Sequence, residues 1–165
     1  MNRKGFTLIE LLAVIVVLGL VLLISVPIIS DAYTKSKIKS EEVFVDRLTQ
    51  AIDSYVKLNE IEYQSTGNGR KTENGKEYDI TYQKGVITIN DIIKDGILTQ
   101  KDFVNAGNKE TTCITAAEVE VYKDSDFVYC YKMEINSLNC LTDAYKKNKK
   151  YAIDTCEWTP KKDQG

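Results

Sequence analysis

The sequence predicts an α+β protein: one long N-terminal helix packed on a small antiparallel β-sheet, followed by a C-terminal region stapled by cysteines. Three observations carry that expectation. Residues 6–29 are almost wholly apolar, with Thr7, Glu10 and Ser25 as the polar exceptions and Gly19 and Pro27 as backbone oddities. Residues 31–58 then repeat apolar side chains every three or four positions, the period of a helix with one buried face. From Tyr78 onward apolar residues fall in short strand-like runs separated by Gly, Asn, Asp and Ser, and the four cysteines all lie in the last third of the chain.

The apolar run comes first. At a rise of 1.5 Å per residue it makes a helix of about 36 Å, enough to cross a hydrocarbon layer of about 30 Å with some tilt. Glu10 lies near its start, where a charged group within lipid costs at least about 2.5–3.5 kcal/mol and its default reading is functional. Its helical neighbours at i−3 and i−4, Thr7 and Phe6, carry no charged side chain. A cationic partner arises only if the chain is cut between Gly5 and Phe6, which gives Phe6 a new α-amine. The plain alternative leaves Glu10 solvated at the headgroup level.

Gly5-Phe6-Thr7-Leu8-Ile9-Glu10, preceded by Arg3-Lys4 and followed by the unbroken apolar run, resembles the class III signal of type IV prepilins and pseudopilins. The resemblance holds at each characteristic position: a short basic leader, Gly5 before the cut, Phe6 after it, and Glu10 as the fifth residue of the mature chain. Pro27 falls where many members of that family carry a helix-kinking proline. The match covers residues 1–29, under a fifth of the chain. It implies cleavage after Gly5, N-methylation of Phe6, and assembly into a helical filament through packed N-terminal helices, with a pilin-like fold.

In the second half of the helix, Ile38, Val45, Leu48, Ile52 and Tyr55 form the apolar stripe, widened by Phe44, Ala51 and Val56. Lys37, Lys39, Glu41, Glu42, Asp46, Arg47 and Asp53 are read as the solvated faces. No proline or glycine interrupts residues 28–62, so the membrane helix is expected to continue into this half, with Pro27 bending the joint. Residues 65–75 contain three glycines and no apolar side chain and read as a loop. Gly67-x-Gly69 follows a helix and lacks Gly-Lys-Ser/Thr, which argues against a phosphate loop. Residues 78–82 and 86–89 read as strands around a turn at Gln83-Lys84-Gly85. Asn90-Asp91 is expected to cap a helix over 92–95 closed by Gly96, with Ile97 and Leu98 packing back on the core.

Residues 118–122 and 127–135 are the clearest strands. Phe127, Tyr129, Tyr131, Met133 and Ile135 share one face of the second. The turn between them, Lys123-Asp124-Ser125-Asp126, offers too few ligands for Ca²⁺ and reads as solvated. Lys146, Lys147, Lys149 and Lys150 form a basic run read as a wet face, with DNA kept as a minor possible partner.

Cys113, Cys130, Cys140 and Cys156 show no Cys-x-x-Cys spacing and the chain has no histidine, which argues against zinc. An even count in an exported domain suggests two disulfides. Cys113 with Cys130 and Cys140 with Cys156 is the preferred of the three pairings. Charge does not decide orientation, because Arg3 and Lys4 at one end of the anchor are balanced by Lys35, Lys37 and Lys39 past the other; the cysteines break the tie in favour of an outside C-terminal domain. The resemblance adds the disulfide-bounded C-terminal region found in many type IV pilins.

The formal net charge is −2, and loss of Arg3 and Lys4 by cleavage takes it to −4. That balance argues against nucleic-acid binding by the bulk surface. The absence of histidine removes the commonest general base, and no paired carboxylates stand out. No enzyme activity, metal or cofactor is expected. The expected organisation is a cleaved leader (1–5), a membrane and filament-core helix (6–29), its amphipathic continuation (30–62) and an extracellular head (63–165). The expected role is a major or minor type IV pilin. Its expected partners are other pilin subunits, prepilin peptidase, the pilus assembly platform and, before assembly, membrane lipid. The rivals are a pseudopilin of a secretion or DNA-uptake machine, and an unprocessed single-pass anchor carrying a binding domain.

Overall fold

The computed structural model describes residues 7–102, 104–105, 108–113 and 115–160. Helix α1 runs unbroken from Leu8 to Leu58, through position 27, and is followed by strands β1 (Tyr63–Glu73) and β2 (Lys76–Thr88). A short helix α2 (Ile89–Lys94) and a two-stranded ribbon, β3 (Val104–Asn105) with β4 (Asn108–Thr112), come next. Strands β5 (Glu118–Asp124) and β6 (Tyr129–Glu134), helix α3 (Asp143–Lys146), and strands β7 (Tyr151–Asp154) and β8 (Trp158–Pro160) complete the chain. Contacts divide the protein into two units, Met1–Lys39 and Ser40–Gly165.

In the second unit, α1 packs on a six-stranded antiparallel sheet of order β7-β6-β5-β2-β1-β8. Val45, Leu48, Ala51, Ile52 and Val56 are buried, together with Val119 and Val121 of β5 and Tyr131 and Met133 of β6. Removing Leu48, Ile52 and Val56 from water stabilises the fold by roughly 1.5–3 kcal/mol each. Tyr131 fastens the two layers by donating its hydroxyl to the Asp53 carboxylate at 3.0 Å.

The loop expected over residues 65–75 is a strand. β1 and β2 pair along a long hairpin from Tyr63↔Gly85 to Glu73↔Lys76, turning at Asn74 and Gly75 (φ 50° and 76°), as a type I′ turn requires. Much of this ribbon faces water, so its residues carry no apolar alternation to read. The turn expected at residues 83–85 is instead the middle of β2. Gly85 sits there because a Cβ would stand 2.8 Å from the Glu62 carbonyl oxygen. α2 begins at Ile89, three residues before the expected start, and Asp91 bonds back to Thr88 rather than serving as the cap itself.

The chain leaves β7 at one edge of the sheet and re-enters as β8 at the other. Residues 155–157 span at most about 14 Å, whereas the edges of a flat six-stranded sheet lie about 24 Å apart. The sheet must therefore curl until its edges approach. Trp158 plugs the inside of that curl. It stacks on Tyr82 at 4.4 Å and meets Tyr122 edge-on at 5.2 Å, beside the Cys130–Cys156 bridge. Gly67 is the floor: a Cβ there would fall 2.5 Å from the Tyr82 ring.

Two disulfides form, but not in the preferred pairing. Cys113 joins Cys140 and Cys130 joins Cys156, with Cα separations of 4.9 and 5.0 Å. Sheet registry explains the correction: Cys130 on β6 lies one strand from the β7 continuation that carries Cys156, with Thr155 donating its amide to the Tyr131 carbonyl at 3.0 Å.

Candidate functional site

The site that the sequence points to is the start of α1. Gly5 and Phe6 lie outside the described residues. From Thr7 the geometry is that of a capped helix end. The Glu10 carboxylate accepts from the Thr7 amide and the Thr7 hydroxyl, both at 2.8 Å, and the Thr7 oxygen accepts from the Glu10 amide at 3.4 Å. This reciprocal box satisfies donors that a helix N-terminus otherwise leaves bare. The carboxylate thus has an uncharged partner one turn away, a partner that charge counting over the sequence overlooks.

Behind it, Leu8, Ile9, Leu11, Leu12, Ile15, Leu18, Leu20 and Leu22 are all more than half exposed. Among the described residues, nothing covers the apolar run. An exposed apolar surface on every side of a helix is stable only in lipid or against other helices.

The second half of α1 holds a residue that the sequence reading misplaced. Glu41, read as solvated, is 1% exposed. Its carboxylate accepts from the Thr142 amide at 2.7 Å and the Thr142 hydroxyl at 2.8 Å. Thr142 is also the N-cap of α3, accepting from the Tyr145 amide at 3.3 Å. The signal was present: Glu41 lies four and seven residues before Val45 and Leu48, on the apolar stripe itself.

The β5–β6 turn also departs from expectation. Phe127 does not join the strand face of Tyr131, Met133 and Ile135; it is 71% exposed, at φ 62°. One Asp124 carboxylate oxygen accepts from the Asp126 and Val128 amides, at 2.9 and 2.8 Å. Among the described residues no cluster of three or more acidic, Cys or His side chains is placed to hold a metal. In the basic run, Lys149 lies 3.7 Å from the centre of the Tyr145 ring and Lys150 4.9 Å from that of Tyr151.

Comparison with known proteins bears on the N-terminus. Residues 1–26 match the prokaryotic N-terminal methylation motif, the class III prepilin-type signal of type IV pilins and pseudopilins. No curated protein and no solved structure matches the chain. The motif is that of a structural subunit rather than an enzyme, and its fold here is the α+β arrangement of a long helix on an antiparallel sheet.

Proposed function

We propose that this protein is a structural subunit, a major or minor pilin, of a type IV pilus. The observation that carries the reading is the juxtaposition of the methylation motif with an apolar half-helix that none of the described residues covers. Before assembly that half-helix lies in the membrane, with the disulfide-bonded domain outside. Prepilin peptidase cuts between Gly5 and Phe6, and the new Phe6 amine is methylated. The assembly platform then moves the helix from lipid to a bundle of like helices, with Pro27 as its bend. There Glu10 of an incoming subunit exchanges its Thr7 bonds for the Phe6 amine of a subunit already in place. Each charge then removes the other's desolvation cost and fixes the axial register.

The same machinery serves pseudopilins, so imaging of long surface fibres separates those two readings. Intact mass of the membrane-extracted protein tests the proposal itself. The expected mature chain begins at a methylated Phe6. A chain that still begins at Met1 overturns the reading and favours an unprocessed anchor.

A further inference from the structure

A cleft of about 270 Å³ opens on the sheet beside the β5–β6 turn, lined by Thr66, Thr81, Tyr82, Gln83, Lys123, Asp124, Ser125 and Phe127. Its floor is set by registry. Thr66 pairs with Gln83 and Gln83 with Lys123, so these three make one cross-strand row on one face, with Thr81 on the same face two residues from Gln83. The turn supplies the wall, and Phe127 its rim.

Phe127 is the unusual part. An aromatic residue at positive φ is a genuine outlier, and strain of this kind persists only where the surroundings impose it. Here they do. The Asp124 carboxylate ties down the Asp126 and Val128 amides, and the Asp124 carbonyl accepts from the Phe127 amide at 3.2 Å. The Lys123 ammonium, 4.3 Å from the ring centre, supports the ring further. The ring is therefore held out to solvent, 71% exposed, where burial rewards nothing.

The lining decides the ligand class. Thr66, Thr81 and Ser125 carry hydroxyls and Gln83 an amide, neutral groups that both donate and accept. Lys123 and Asp124 cancel in charge, and Lys123 also lies within 6 Å of the Tyr63 and Tyr129 rings. A phosphate or polyanion would need unopposed cations, which the lining lacks. An apolar peptide would need an aliphatic floor, and there is none. Neutral polar groups beside a preset aromatic face match a ligand with vicinal hydroxyls on one side and C–H bonds on the other. We infer that this cleft binds a sugar ring of a neutral oligosaccharide, with the ring lying on Phe127 and its hydroxyls on Thr66, Thr81 and Gln83. The inference does not depend on how the N-terminus is processed.

The test uses the full-length protein, isotope-labelled, in a detergent that carries no sugar. Lactose, N-acetyllactosamine, maltotriose and chitotriose are each titrated to about 10 mM, with a sulfated heparin octasaccharide as the anionic comparator. At least one neutral sugar should shift the Gln83 side-chain amide and the Ser125 and Phe127 backbone amides saturably. Phe127→Gly should weaken that binding by at least about tenfold while unfolding at the same or a higher temperature, because glycine is unstrained at this φ. A side chain with a merely structural role would not separate binding from stability in this direction. Should Phe127→Gly fail to fold, Gln83→Ala on the exposed floor decides, with the same tenfold loss expected. No saturable shift with any neutral sugar, binding of the heparin fragment alone, shifts confined to another surface, or undiminished binding in the folded variants each overturns the inference.

Discussion

The Glu41 carboxylate on α1 receives both the backbone amide and the side-chain hydroxyl of Thr142, a residue 101 positions later in the chain. Thr142 stands two residues past Cys140, which is bridged to Cys113. One buried acid thus ties the long helix to the disulfide-closed C-terminal region at the point where the second unit begins.

Removing that acid should be costly. Glu41→Ala leaves the half-buried Thr142 amide and hydroxyl without their acceptor and opens a cavity, so we expect a loss of about 2–4 kcal/mol. Glu42→Ala, on an exposed neighbour, should change stability by less than about 0.5 kcal/mol. Urea denaturation of the two variants measures the difference; equal midpoints would show that the Thr142 bonds contribute nothing.

Peptide mapping without reduction should recover Cys113 linked to Cys140 and Cys130 linked to Cys156. Each bridge closes a loop of similar size, with sequence separations of 27 and 26, and loop-closure entropy gives about 3–4 kcal/mol apiece. Replacing Cys130 and Cys156 together should also loosen the packing of Trp158, read as a red shift in its fluorescence. Unchanged emission would separate the bridge from the plug.

Gly67→Ala should cost about 1–3 kcal/mol, since its Cβ would meet the Tyr82 ring at 2.5 Å and Tyr82 is itself held under Trp158. Thermal unfolding of Gly67→Ala alongside Gly19→Ala, where nothing lies within 4 Å of the added carbon, checks this. A Gly67→Ala protein as stable as the parent would mean that the aromatic plug yields without resistance.

Stability should fall at both ends of the pH scale. Asp91 is held below the usual carboxylate range by the Thr88 hydroxyl and amide, and Asp53 by the Lys57 ammonium despite partial burial. Burial pushes Glu120 up, but bonds from Lys84 and Tyr122 outweigh it and the net shift is downward. A lowered folded value contributes stability above the ordinary value near 4 and loses it as pH falls through the lowered one. Burial, then Tyr129, pushes Tyr63 up to about 12. Its contribution is complete below the ordinary tyrosine value near 10 and vanishes as pH rises through 12. Ultraviolet titration of tyrosinate in the folded protein should show this late step; a single step near 10 for every tyrosine would contradict it.

Glu10→Val bears on assembly rather than folding. It removes the acceptor of the Thr7 amide and hydroxyl at an exposed helix end and leaves residues beyond 40 folded. Recovery of the variant in sheared surface filaments, relative to its amount in the membrane, should drop sharply. A processed Glu10→Val subunit that enters filaments as well as the parent would leave Glu10 a solvated interfacial residue.

Much of the fold was legible where burial leaves a periodic trace. Leu48, Ile52 and Val56 announced the buried face of α1, and Val119 and Val121 that of β5. The exposed β1–β2 ribbon left no such trace, and Gly67 and Gly85 mimicked loop and turn residues although they make room for Tyr82 and the Glu62 carbonyl within strands. Glu41 was misread because residue type outweighed position, although its spacing placed it on the apolar stripe. Cysteine pairing depends on which strands become neighbours, and that is fixed by the curl of the sheet rather than by local sequence.

The two bridges have a mechanical consequence. Without them, about 43 residues of contour between Cys113 and Cys156 could be drawn out to roughly 145 Å under tension. With Cys113 fastened to Cys140 and Cys130 to Cys156, the shortest covalent route keeps only the ten or so residues between Cys130 and Cys140, roughly 45 Å with the bridges included. A load applied along this chain would find its slack in the hairpin and ribbon ahead of Cys113, while the last third behaves as a nearly inextensible knot.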